Sequence, residues 1–227
     1  MEDATTATVP RLPWHLVDTG VEELRAAHAA ASEGAWKQFC MVCGDTVAPE
    51  ATYQAWFAHF IMQRLSVLHV VREVDFGARH LGPDAGRVFP GDSLMVDIVV
   101  LREPIVMLPR RAALADPVLP GGAPNPRSGL ERLGDFSVVS ELKVDSTKSK
   151  GQGYGEVVRD FVKLSRILDA AQDAYPGHPI PAAYVGVLAN HPGRRFNFEL
   201  LKLKLEQADV RSGIQLLQHV VERPEPL

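Results

Sequence analysis

The chain has 227 residues, 46% hydrophobic and 23% charged, with a formal net charge of −4. Such values suit a globular protein with one sizeable core and exclude binding of polyanions through bulk charge, so any nucleic-acid contact must come from local basic patches. No apolar run reaches the roughly 18 residues of a membrane span, the acidic start MEDATTATVPRLP lacks the apolar centre of a secretory signal, and two cysteines make no disulfide framework; a cytoplasmic, reduced protein is the expectation.

Residues 1–13 are polar, carry two prolines and are expected to be disordered. Residues 14–48 read as a helical appendage, with helical composition from Val21 to about Phe39 and a break at CGDTVAP. Pro49 and Glu50 supply the start signals of a second helix. Its apolar positions, Tyr53, Trp56, Phe57, Phe60, Ile61 and Leu65, recur at helical spacing. Val67–Phe76 and Ser93–Leu101 read as strands separated by a turn-rich stretch. The second is apolar enough to be covered on both faces, with Asp97 as its one charge.

Residues 102–134 are rich in proline and glycine and too long for a hairpin, so they read as a functional flap or an insertion. A strand follows at Phe136–Val144, then the turn DSTKSKGQGYG and a helix from about Glu156 to Tyr175. Ala182–Ala189 reads as a buried strand, Phe196–Ala208 as an amphipathic helix and Ile214–Val221 as an edge strand, with a frayed tail at 222–227. The order implies an α/β fold over residues 49–221, a mixed sheet flanked by helices on both faces.

Phe136–Val144, FSVVSELKV, holds the unusual chemistry. Side chains alternate along a strand, so Phe136, Val138, Ser140, Leu142 and Val144 share one face, and Ser137, Val139, Glu141 and Lys143 the other. A carboxylate on a hydrophobic sheet needs a cation, a hydrogen-bond network or a metal. If strands 93–101 and 136–144 are neighbours, Asp97 and Glu141 converge at one end. Two carboxylates, a backbone carbonyl such as that of Leu142, and water are the hard oxygen donors Mg2+ requires. Lys143 would then position the attacking water and stabilise charge on a phosphate.

The αβββαβ order, the lone acid in MVDIVV and the E-L-K triplet in VVSELKV resemble the PD-(D/E)xK nuclease superfamily over roughly residues 49–190. The resemblance implies a restriction-endonuclease-like core and Mg2+- or Mn2+-dependent hydrolysis of phosphodiester bonds in DNA or, less often, RNA. It makes Asp97 and Glu141 the metal-binding acids, Lys143 the catalytic lysine and Glu50 the acid some members carry on the preceding helix. Glu73 is another acid in a matching strand. Gln152 and Tyr154 stand, at closer spacing, where the family has Gln-x-x-x-Tyr. DNA is the expected substrate, and a homodimer would supply one site per strand.

An acid-x-Lys triplet by itself is expected about once by chance at this composition. Its position, between an apolar strand with one Asp and a helix, is what carries weight. The alternative is a cross-strand ion pair at the sheet margin, contributing about 1 kcal/mol or less.

Arg159, Lys163 and Arg166 recur at i, i+4 and i+7 on the helix after the strand, and Lys148 and Lys150 lie in the turn before it. With Gln152 they could follow a phosphate backbone. Glu156, Asp160 and Asp169 on the same helix support instead a solvated surface of mixed charge. Arg110, Arg111 and Arg127 in the insertion could enter a DNA groove, line a solvated loop or make a dimer contact. Cys40 and Cys43 resemble one zinc knuckle but lack a second cysteine pair, so buried structural thiols compete with a zinc-stabilised adaptor. His28 or His59 would have to complete such a site. His80, His178 and His191 sit in turn-rich stretches and suggest no catalytic triad. Beside the nuclease stands a second function, a non-catalytic module of the same fold that binds nucleic acid or protein.

Overall fold

The strand Phe136–Val144 forms where the alternating apolar run places it, and the rest of the chain is layered around it. The computed structural model describes residues 18–77, 93–103, 133–147, 151–174, 176–177 and 179–221. The expected disordered start, the tail at 222–227, Lys148, Lys150, Arg110, Arg111, Arg127, His80 and His178 lie outside the described residues.

Two helices come first, α1 (Asp18–Cys43) and α2 (Glu50–Met62), then a 3-10 turn at Val67–His69. Strands β1 (Val70–Gly77), β2 (Ser93–Leu101) and β3 (Phe136–Val144) follow, with a 3-10 turn at Asp145–Thr147. Helix α3 (Tyr154–Ala174), strand β4 (Ala182–Ala189), helix α4 (Phe198–Glu206) and strand β5 (Ile214–Val220) complete the order. The first strand starts later than its composition suggests because Ser66 caps the 3-10 turn, accepting the Leu68 N–H. No helix among the described residues is long and apolar enough to cross a membrane.

The protein is thus α/β, with a five-stranded mixed sheet in the order β1-β2-β3-β4-β5. β1, β2 and β3 run antiparallel, whereas β3, β4 and β5 are parallel. Parallel neighbours need a crossover, and α3 and α4 provide the two. Val139, Val185 and Val187 pack with Phe161, Leu164 and Leu168 of α3 and Leu201 of α4. Val138, Leu142, Tyr184 and Leu188 pack with Trp36 and Phe39 of α1 and Phe57 of α2. Each fully buried aliphatic or Phe side chain contributes about 1.5–3 kcal/mol, so both helical layers are held by the sheet.

Two features differ from expectation. The helix read as an appendage belongs to the core: Ala35, Trp36, Phe39, Cys40 and Cys43 of α1 are all buried in it. Gly186 of β4 makes this approach possible, since a Cβ there would lie 2.6 Å from Trp36 Cζ3. Phe136 packs with Val139 rather than Val138. The β2/β3 register shifts between Val100 and Leu101, where Phe136 is paired, and a one-residue shift turns a side chain to the other face.

Candidate active site at a fork in the sheet

β2 pairs with β1 from end to end, but with β3 only as far as Ile98↔Ser140. Asp97 and Glu141 would form the next pair of that register, and there the ladder stops. β1 and β2 turn away together at this level. Glu73, facing Asp97 between the pairs Arg72↔Ile98 and Val74↔Val96, has φ +52°, a left-handed backbone on a residue other than glycine. The faces exchange across the same point: Val70 and Ile98 belong to the α1/α2 layer, Val74 and Val96 to the α3/α4 layer.

The opened ladder would strand the amide of Leu142, and Asp97 takes it up: Leu142 N–H donates to Asp97 Oδ2 at 2.8 Å. A strand residue sends its N–H and C=O toward the same neighbour, so the Leu142 carbonyl is also directed to the fork. Glu141 and Lys143 lie on the face toward α3. Lys143 Nζ is 3.1 Å from Asp160 Oδ2 of α3 and 3.5 Å from Glu50 Oε1 in the first turn of α2. The fork is thus where both helical layers contribute charge to one place.

From there the charges alternate inward. Asp160 Oδ1 lies 3.4 Å from Lys163 Nζ, and Lys163 Nζ lies 2.7 Å from Glu141 Oε1. Lys163 also donates to the Met95 carbonyl at 2.7 Å. The side chain of Glu141 is 1% exposed and that of Glu50 28%, so the row runs from the interior to a solvent-facing end. Three carboxylates (Glu141, Asp160, Glu50) share two ammonium groups, and Asp97, held on the Leu142 amide, adds a fourth acid, a formal surplus of two negative charges.

Burial pushes the Asp97 carboxyl above its ordinary value, against the lowering influence of Lys143 and the Leu142 amide. Burial also pushes Glu141 up, strongly, and the nearby Asp97 charge adds to it. Burial opposes charge on both lysines, yet the surrounding acids win: Asp160 above all raises Lys143, and Glu141 above all raises Lys163. The ammonium groups are therefore firmly charged, while the two innermost acids ionise reluctantly. A divalent cation would relieve that reluctance.

Among the described residues, no three His, Cys, Asp or Glu side chains form a ready-made metal cage. Mg2+ rarely uses one, and binds through one or two carboxylates with waters and substrate oxygens. Asp97, Glu141 and the Leu142 carbonyl fit that hard donor set. Cys40 and Cys43 are buried free thiols packed in the α1/α2 layer, and among the described residues no further His, Cys, Asp or Glu joins them in a zinc-binding group.

The fork brings together Asp97, Glu141, Leu142, Lys143 and Glu50. Lys163 joins them, although its spacing predicts an outer basic stripe: Arg159 is exposed, Arg166 pairs with Asp209, and Lys163 turns inward between them. Gln152, expected at the nucleic acid, is fully buried. Its backbone N–H donates to Asp145 Oδ1, and its Nε2 donates to Glu156 Oε2 at 2.6 Å. Tyr154 Oη accepts the Asn197 N–H at 3.1 Å, so both residues anchor the start of α3. Glu73 is exposed and acts through its backbone.

Sequence reading missed Asp160 as a site residue, although a signal was there. It stands on the stripe of Val157, Phe161, Leu164 and Leu168 that α3 buries, where an acid requires a partner. Comparison of the chain with family models, with curated proteins and with solved structures finds no match.

Proposed function

We propose that this chain is a Mg2+-dependent nuclease of the PD-(D/E)xK type, acting on DNA, with a restriction-endonuclease-like core. The observation that carries the reading is the fork, which sets Asp97, Glu141 and the Leu142 backbone beside Lys143. Asp97 and Glu141 would hold the ion, with the Leu142 carbonyl as a further ligand. Bound there, Mg2+ supplies Lewis-acid activation of a phosphate oxygen and of water. Lys143, kept charged by Asp160 and oriented from the other side by Glu50, supplies a fixed positive charge to the phosphate and a donor to the attacking water. Exposed Arg159 offers a phosphate contact on α3. Two copies would present one site to each strand.

One observation favours a second reading, a non-catalytic binding module of the same fold. Lys163 already neutralises Glu141 at 2.7 Å, as a purely structural ion pair would. A plasmid-nicking assay with Mg2+ or Mn2+ separates the two. The nuclease reading expects metal-dependent nicking that falls about 10²-fold or more in Lys143→Ala and in Asp97→Ala. Nicking that survives both substitutions would place the chemistry elsewhere, and a wild type inactive with every metal would leave the binding module.

A further inference from the structure

We propose that Lys163 is a tethered cation that holds the place of the divalent ion at Glu141 and gives it up when the ion binds. The inference rests on the metal-site reading above and assigns a device to the same site. Lys163 Nζ lies 2.7 Å from Glu141 Oε1, a carboxylate that is 1% exposed. Without a cation that carboxylate would be a stranded buried charge, at a cost of several kcal/mol. The ammonium also has two other anchors, the Met95 carbonyl at 2.7 Å and Asp160 at 3.4 Å. It can therefore leave Glu141 without itself becoming an unpaired buried charge. Neither anchor is a ligand of the proposed ion, so the exchange moves one long, flexible side chain and leaves the backbone of the fork in place.

Displacement has a thermodynamic consequence. An ion that must first displace an ammonium binds more weakly than one entering a vacant carboxylate pair, and the difference is a coupling free energy between Lys163 and the metal. The probe is Mn2+, titrated calorimetrically into the full chain and into Lys163→Met, with Asp97→Asn as the control that abolishes binding at this site. We expect Lys163→Met to bind Mn2+ about tenfold more tightly than wild type and to gain more thermal stability from it. Unchanged or weaker binding in Lys163→Met, with wild type binding normally, overturns the exchange. Failure of both proteins to bind Mn2+ removes the metal site itself and the exchange with it.

If Lys163→Met does not fold, wild type answers the same question by amine acylation read by mass spectrometry. Saturating Mn2+ should speed modification of Lys163 while leaving exposed Lys37 and Lys204 unchanged. No change at Lys163 under saturating Mn2+ overturns the proposal.

Discussion

Asp97 meets the Leu142 amide across the fork at 2.8 Å, a side chain taking the place of the strand that has turned away. Asparagine at position 97 keeps an oxygen for that amide and removes the charge. We expect Asp97→Asn to change stability by no more than about 1 kcal/mol, and Asp97→Ala to cost about 1–3 kcal/mol by leaving the amide unsatisfied. Both should lose metal-dependent nicking by about 10²-fold or more. Urea denaturation beside the nicking assay checks this; equal destabilisation by Asn and Ala would mean the hydrogen bond is not what position 97 contributes.

The buried acids set an unusual pH dependence. Burial raises Asp97 and Glu141 above the ordinary carboxylate range, so the folded state binds protons that the unfolded state has released. Their contribution to stability is complete below the unfolded carboxylate pKa and is lost as pH rises through the raised folded values. The lysines have the same sign at the alkaline end: their contribution is present below the ordinary lysine pKa and lost as pH rises through the folded values. Between about pH 4 and about pH 7 the wild type should therefore lose stability relative to Asp97→Asn, whose urea midpoint varies less. A wild-type midpoint that rises relative to Asp97→Asn over that interval would contradict the burial of this carboxyl.

Glu73 carries backbone strain at φ +52°, opposite Asp97. A side chain in that region costs about 1–3 kcal/mol, and glycine adopts it without a Cβ penalty. Glu73→Gly should raise stability by about 1 kcal/mol after the larger entropy of glycine in the unfolded chain is subtracted. The carboxylate is exposed, so nicking should stay at the wild-type level. A thermal melt and one nicking assay are sufficient; a fall in melting temperature would show that the Glu73 side chain holds β1 in some other way.

Near-continuous apolar composition bounded by turn-rich stretches was enough to place β3 and β4 residue for residue, because both faces of each strand are covered. Asp97 and Glu141 stood out as charges on apolar strands for the same reason. The fork was not legible. It depends on a register that ends at Ile98↔Ser140 and on a left-handed residue that is neither glycine nor asparagine. Lys163 misled through its spacing: i, i+4 and i+7 place it with Arg159 and Arg166, but a four-carbon side chain at the border of the buried stripe of α3 can turn either way. The acids on β3 and α3, together with the Met95 carbonyl of β2, decide that it turns inward.

Gly186 and Trp36 give a packing test remote from the fork. A methyl group at 186 would sit 2.6 Å from the indole Cζ3, in a layer where Trp36 also meets Phe39 and Phe57 edgewise or tilted. Gly186→Ala should destabilise by about 1–3 kcal/mol through overpacking. Adding Trp36→Leu should recover part of that loss, giving a favourable coupling in the double-mutant cycle. Independent, additive effects would mean that α1 does not press on β4 at this point.

Asp160 stands between the two ammonium groups, 3.1 Å from that of Lys143 and 3.4 Å from that of Lys163. Each lysine keeps one other acid, Glu50 or Glu141. Asp160→Asn should therefore cost about 1–3 kcal/mol rather than the 3–5 kcal/mol of a buried pair broken outright. Its effect on chemistry should be larger in proportion, because Lys143 loses its nearest tether: nicking turnover should fall about tenfold or more with KM little changed. Asp160→Glu, which restores the charge, should recover much of the turnover. A merely structural acid would lose rate only as far as it loses folded protein, so turnover per folded molecule, measured under conditions where all three proteins are folded, is the deciding quantity. Equal turnover in wild type and Asp160→Asn would remove Asp160 from the positioning of Lys143.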